Sequence, residues 1–202
     1  CETNVSDGFG QTVTVRQSTV ETIEYNRDKG LSVTVYLGQK RGNASTSDFS
    51  PQAIRDTVAA ALSIARYTAE DDCAGLAEKD RLARDYPQLA LYFPWQLSVE
   101  QAIELAKECE QAGFAADPKI TNSEGATVST SESQFIYANS LDFMGGYPIS
   151  RHSVSCALIA EHNESKQRDY WYSVARDAVD LESAQEIGRK TGLRSAARLG
   201  AR

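Results

Sequence analysis

The sequence predicts an α+β protein: antiparallel β-sheets flanked by helices, arranged in two domains. Two observations carry this. Short segments in which apolar and polar residues alternate are joined by polar links too short for parallel crossovers. Two helices with readable N-caps, at Ser50 and Ser98, each follow or precede a run of such strands.

In chain order, residues 11–17 (TVTVRQS) alternate valine with polar residues, the period of a strand with one buried face. Residues 20–26 form a second strand, RDKG at 27–30 a turn, and 31–37 (LSVTVYL) a third strand with Leu31, Val33, Val35 and Leu37 on one side. Gly38 to Gly42 makes the next turn, and 43–48 (NASTSD) reads as a polar edge strand.

Ser50-Pro51 then opens a helix. Serine is a favoured N-cap, and proline at the first helical position gives up an N–H that had no intrahelical partner. Ile54, Val58, Ala61, Leu62 and Ala65 recur at spacings of three and four and form its predicted buried stripe. Residues 69–97 lack a long period and are punctuated by Gly75, Pro87 and Pro94. They read as a connector docked through Leu89, Leu91, Tyr92, Phe93 and Trp95.

Ser98 and Gln101 have capping-box spacing at the start of a second helix. Ala102, Ile103, Leu105, Ala106 and Cys109 form its buried side, and Gly113 is its expected stop. Strands are expected at 118–122, 126–131, 134–139, 141–148, 151–161 and 168–176. A third helix runs from about Leu181 to Lys190, with a short one after Thr191-Gly192. The domain reading is 1–68 for a first α/β domain, 69–97 for the connector and 98–202 for a second α+β domain.

Composition narrows the function. The formal net charge is -7, which disfavours direct binding to a phosphate backbone. Arg189, Lys190, Arg194, Arg198 and Arg202 read as a solvated helix face with cations near its C-terminus, or as a local basic patch. No run of 18 apolar residues exists, so no membrane-spanning helix is expected. The chain opens CETNVSDGFG, without an apolar signal region, and Cys1 stands where an initiator Met is usual; it reads as a piece of a longer protein. The spacings of Cys1, Cys73, Cys109 and Cys156 match no zinc or redox motif; reduced thiols and a cytoplasmic location are expected, with Cys109 and Cys156 as small core residues.

No catalytic, cofactor-binding or metal-binding residue is assigned. His152 and His162 are ten residues apart; in one strand they share a face but lie roughly 33 Å apart, too far for one metal. Neither HExxH nor HExxxH occurs. A Cys156–His152 relay would span roughly 13 Å along a strand. Gly8-Phe9-Gly10 and Gly145-Gly146 read as glycine turns, without phosphate-loop partners. Arg27, Lys29, Lys40 and Arg41 sit in two basic turns, read as solvated hairpin tips or as a hold for a partner carboxylate. Tyr170 and Tyr172 share one strand face and Trp171 takes the other, so both faces need cover, from the core and from a helix or partner.

Several strings taken together and in order are specific. They include Val33-Thr34-Val35-Tyr36, Arg41-Gly42-Asn43-Ala44-Ser45, Ser50-Pro51-Gln52-Ala53-Ile54 and Ala65-Arg66-Tyr67-Thr68. Cys73-Ala74-Gly75, Ala102-Ile103-Glu104-Leu105-Ala106, Ile120-Thr121-Asn122-Ser123-Glu124-Gly125, Arg151-His152-Ser153 and Arg168-Asp169-Tyr170 continue the series. Through these the chain resembles the PmbA/TldD family, once called modulators of DNA gyrase, on its PmbA (TldE) side. The resemblance implies the N-terminal and middle domains of the non-zinc subunit of a zinc-dependent peptidase. It implies a TldD-like partner that holds the zinc, and extended, unfolded peptides, including microcin precursors and antitoxins, as substrates. It carries no catalytic residue onto this chain. A module that binds DNA gyrase is the alternative, and a homo-oligomer is left open. A sheet edge at 43–48 or 126–131, rich in Ser and Thr, is read either as capped by loops or by a further domain or as pairing with the peptide main chain.

Overall fold

The computed structural model describes residues 1–200. The architecture is α+β, as the sequence predicts: strands β1 (Glu2–Arg16), β2 (Thr19–Leu37) and β3 (Lys40–Thr46), helix α1 (Pro51–Tyr67), helix α2 (Val99–Ala116), strands β4 (Ile120–Asn139), β5 (Phe143–His162) and β6 (Ser165–Ala175), and helix α3 (Ala184–Ala197). Short 3₁₀ turns occupy Lys79–Arg81 and Ala178–Asp180. The strands make one six-stranded sheet in the order β3-β2-β1-β4-β5-β6.

The strands are longer and fewer than their alternation suggests. The expected turn at 27–30 lies inside β2, and the breaks at 123–125 and 149–150 lie inside β4 and β5. Arg27, Asp28 and Lys29 are exposed, and a strand solvated on both faces needs no apolar period. Gly8, Gly10, Gly145 and Gly146 are likewise strand residues with no positive φ. The links at Gln17-Ser18 and Asn163-Glu164 have positive φ at both residues, the twist a two-residue hairpin needs. Neither contains glycine, so the usual sequence signal is missing. Gly38, at φ +59°, turns the chain between β2 and β3, and Lys40–Gly42 already belong to β3.

Two compact units arise from these elements. One comprises residues 1–8, 27–91 and 133–148; the other comprises 9–26, 92–132 and the remainder from 149. In the first, β3 pairs antiparallel with β2, Leu31 opposite Thr46 and Leu37 opposite Lys40. The Ser50 side chain accepts the Ala53 N–H, and Asp48 accepts the Ser50 N–H, so α1 is capped as predicted. Its buried row is Thr57, Ala61 and Ala65, whereas Val58 is 42% exposed, contrary to the predicted stripe. The reason is Gly42: a Cβ there would lie 2.1 Å from the Ala61 carbonyl oxygen, so the helix rests on β3 through its smallest side chains. Within 69–91, Tyr86 and Leu89 are half exposed; Leu89 does not dock the connector.

In the second unit, Val13, Val15, Val128, Val154, Cys156 and Leu158 on the sheet meet Ala102, Ala106 and Cys109 of α2 and Ile187 of α3. The capping box at Ser98 and Gln101 forms in both directions. Gly113 does not stop α2, nor does Gly192 divide α3, and α3 starts at Ala184 behind the Ser183 cap. These glycines are contact points: a Cβ on Gly188 would lie 1.8 Å from the Cys109 carbonyl oxygen, and one on Gly192 would lie 2.4 Å from that of Gly113. The two helices touch backbone to backbone, so glycine serves packing here, not termination.

Candidate functional site

His152 and His162 both lie on β5, as predicted, but in unlike settings. His162 is exposed. His152 is fully buried, with its edge set against Trp95 at 5.5 Å between centroids. Its Nε2–H donates to the Phe93 carbonyl at 2.8 Å, which leaves Nδ1 to accept from the Thr130 hydroxyl, also at 2.8 Å. Both nitrogens are committed, so His152 does not fit a metal ligand; it clamps residues 92–95 to the sheet. The Ser150 hydroxyl adds a second clamp, accepting the Phe93 N–H at 2.8 Å. Among the described residues, no group of three or more His, Cys, Asp or Glu side chains is placed to hold a metal ion.

Cys109 and Cys156 are buried free thiols. Contact with Cys109 and burial push the Cys156 thiol well above its ordinary range, which makes it a poor nucleophile. Of the basic residues, Lys29 lies 5.1 Å over the Phe49 ring, and Arg27, Lys29 and Arg41 are exposed. Arg189 pairs with Glu186, and Lys190 with Glu182. Arg194 and Arg198 share Asp169, while Arg202 lies outside the described residues.

The chemically distinctive surface of the second unit is the sheet face opposite its helices. Period-2 alternation sends Val13, Val15, Val128, Val154 and Cys156 to the core. Thr12, Thr14, Thr127, Ser129, Ser153, Ser155 and Ala157 therefore line the other side, none of them charged. Thr12 bonds Ser129 across the strands at 2.9 Å, and Thr14 bonds Thr127 at 3.0 Å. Tyr170 and Tyr172, opposite Ala157 and Ser155, are stacked 6.1 Å apart and about half exposed. Trp171 turns the other way, where Lys190 and Arg194 cover its ring at 5.4 and 5.0 Å. The signal for this hydroxyl face was present in TVTV and ATVST, where each core valine has a Thr or Ser neighbour.

The expected edge at 126–131 is a correction: those residues belong to β4, between β1 and β5, and have strands on both sides. The sheet edges are β3 and β6. On β6, Asp169 Oδ1 accepts the Tyr170 N–H and the Ser173 hydroxyl accepts the Glu182 N–H, so polar side chains occupy it. On β3, the Asn43 side chain is turned back onto Ser32, Val33 and Thr34 of β2, and Ser45 is exposed.

In comparisons with known proteins, residues 1–65 match the model of PmbA/TldA metallopeptidase domain 1, and residues 92–199 match that of the PmbA/TldA metallopeptidase central domain. The metalloprotease PmbA of Escherichia coli O157:H7 is 43% identical over 201 residues, covering 100% of this chain and 45% of that protein. A Bacteroides thetaiotaomicron structure, named as a candidate modulator of DNA gyrase, superposes with a TM-score of 0.90 at 22% identity, covering 100% of this chain and 46% of that one. The TldE structure from Thermococcus kodakarensis gives 0.72 at 10% identity, covering 96% and 43%. The chain thus spans under half the length of these relatives.

Proposed function

The chain belongs to the PmbA/TldA metallopeptidase family, and on that footing we propose that it forms the first and central domains of a PmbA (TldE)-like, non-catalytic subunit. It pairs with a TldD-like subunit in the cytoplasm, walls the space in which unfolded peptides such as microcin precursors or antitoxins are cut, and guides them in extended form. Zinc is supplied by the partner.

The observation that carries this reading is the succession of domain 1 and central domain in a chain 43% identical to a metalloprotease PmbA over 201 residues. The row of Thr and Ser hydroxyls on the sheet face opposite the helices supports it, because its own side chains place no charge between the flanking Arg16–Glu21 and Arg168–Glu124 pairs. So does the β3 edge, because strand addition reads the main chain that all peptides share. A gyrase-binding module is the second reading, prompted by the name of the Bacteroides protein. The net charge of -7 sets it against DNA itself but not against a protein partner.

Elemental analysis and a peptide-hydrolysis assay on the purified chain test the non-catalytic assignment. Less than a tenth of a zinc per chain and no hydrolysis are expected. One tight zinc lost on His152→Ala or His162→Ala would overturn it.

A further inference from the structure

Beside α3, on the helix-covered side of β6, lies an open depression of about 560 Å³ lined by Gln167, Asp169, Arg194, Ala197 and Arg198. Its charges are unequal. Asp169 is 7% exposed, and its Oδ1 is already taken by the Tyr170 N–H at 2.8 Å. Its Oδ2 faces two guanidinium groups, Arg194 Nη2 at 3.2 Å and Arg198 Nη1 at 3.6 Å. Burial alone would raise the Asp169 carboxyl, but the Tyr170 N–H and Arg194, with Arg198 beyond it, hold it below its ordinary value. One carboxylate therefore stands against two cations.

The neighbouring basic residues of α3 are matched: Arg189 by Glu186, and Lys190 by Glu182. The surplus positive charge falls on the Asp169 pair. Arg194 is held in place by the Trp171 ring 5.0 Å away. At 3.6 Å, Arg198 is beyond hydrogen-bond distance from Asp169. Among the described residues its guanidinium has an ion pair but no hydrogen bond, so its planar fork of donors stays available. Both arginine side chains are about half exposed.

We propose that this depression is a binding site for a carboxylate, presented by the free C-terminus or an acidic side chain of an extended peptide, with the Arg198 fork as the principal donor and Arg194 as the second. Planar guanidinium matches planar carboxylate with two parallel hydrogen bonds. The ligand is a monoanion because Asp169 leaves a surplus of one charge, which a dianionic phosphate would exceed. The site rests on the reading that this chain guides extended peptides, but all its residues come from this chain and it needs no pairing with another subunit.

The test follows the indole N–H resonance of Trp171, one of two tryptophans, in the ¹⁵N-labelled chain; Trp95→Phe assigns it. Four probes are titrated: a neutral Gly/Ser pentapeptide with a free C-terminus, the same peptide amidated, an amidated peptide with one central Glu, and inorganic phosphate. At least one carboxylate-bearing peptide is expected to shift the resonance saturably, and which one does so identifies the source of the group. The amidated neutral peptide should not, and phosphate should bind more weakly. Arg198→Gln should weaken binding at least tenfold, and Arg198→Lys, which keeps the charge without the fork, by a smaller factor. Equal binding of the amidated neutral peptide, tighter binding of phosphate, no saturable shift with any peptide, or unchanged binding by both Arg198 variants would overturn the proposal.

Discussion

Glu110, fully buried on α2, accepts the Gln17 N–H at 2.8 Å with one carboxylate oxygen, and the other takes the Ser18 N–H at 2.7 Å. Gln17 and Ser18 are the positive-φ pair that turns β1 into β2, so a helix residue holds a hairpin that lacks the usual glycine. Charge-assisted hydrogen bonds contribute about 1.5–3 kcal/mol each, so Glu110→Ala should cost roughly 3 kcal/mol or more. Glu110→Gln keeps one neutral acceptor but sets its NH₂ donor against the other backbone N–H, so it should cost a comparable amount. Urea melts give both values, and a neutral Glu110→Ala would show that the turn holds itself.

Gly188→Ala should destabilise the second unit by about 1–3 kcal/mol, because overpacking forces the helices apart. The new Cβ would sit 1.8 Å from the Cys109 carbonyl oxygen, and backbone cannot yield as a side-chain tip does. Gly75→Ala is the control: nothing lies within 4 Å of its Cβ position, and a change below about 0.5 kcal/mol is expected. Equal midpoints for the two variants would contradict the close α2–α3 contact.

Tyr36 and Tyr137 both donate to the Glu2 carboxylate at 2.8 Å. Burial first, then the hydrogen bond and charge of Glu2, push the Tyr36 hydroxyl up from 10.0 to about 12. The folded state therefore holds this proton more tightly than the unfolded chain does. Its contribution is complete below pH 10.0 and is lost as the pH rises toward about 12. Ultraviolet titration should show a late-ionising phenol that Tyr36→Phe removes. Stability of that variant should fall less between about pH 9 and about pH 11 than that of the parent.

The helices were legible in the sequence because Ser50, Ser98 and Gln101 announce their caps through local hydrogen bonds. Their glycines were not, because Gly113 and Gly192 look like terminators and serve a contact between helices distant in sequence. Strand cores at Val13, Val33, Val128 and Val154 were legible by alternation. The extent of β2 was not, since its middle is solvated, and no local pattern says that β4 lies between β1 and β5. The hydroxyl face needed the registers; the pairing of Arg194 and Arg198 on Asp169 needed the fold.

Strand addition at β3 predicts that Ser45→Lys, which places a charge on the exposed edge, weakens peptide cleavage severalfold in the reconstituted two-subunit enzyme. Subunit pairing should be unchanged, as read by size-exclusion chromatography. Thr130→Pro, on the internal strand β4, should instead impair folding, because Thr130 is buried and bonded to His152. Cleavage at the parental rate by a folded Ser45→Lys enzyme would remove β3 from the substrate path.

The most direct test of the central claim is a binding measurement of this chain, within its full-length subunit, against a TldD-type subunit and against the DNA gyrase subunits in parallel. The account predicts a stable complex with the TldD-type subunit, peptide hydrolysis only in that complex, and zinc carried by the partner. Binding to a gyrase subunit without binding to the TldD-type subunit would contradict it.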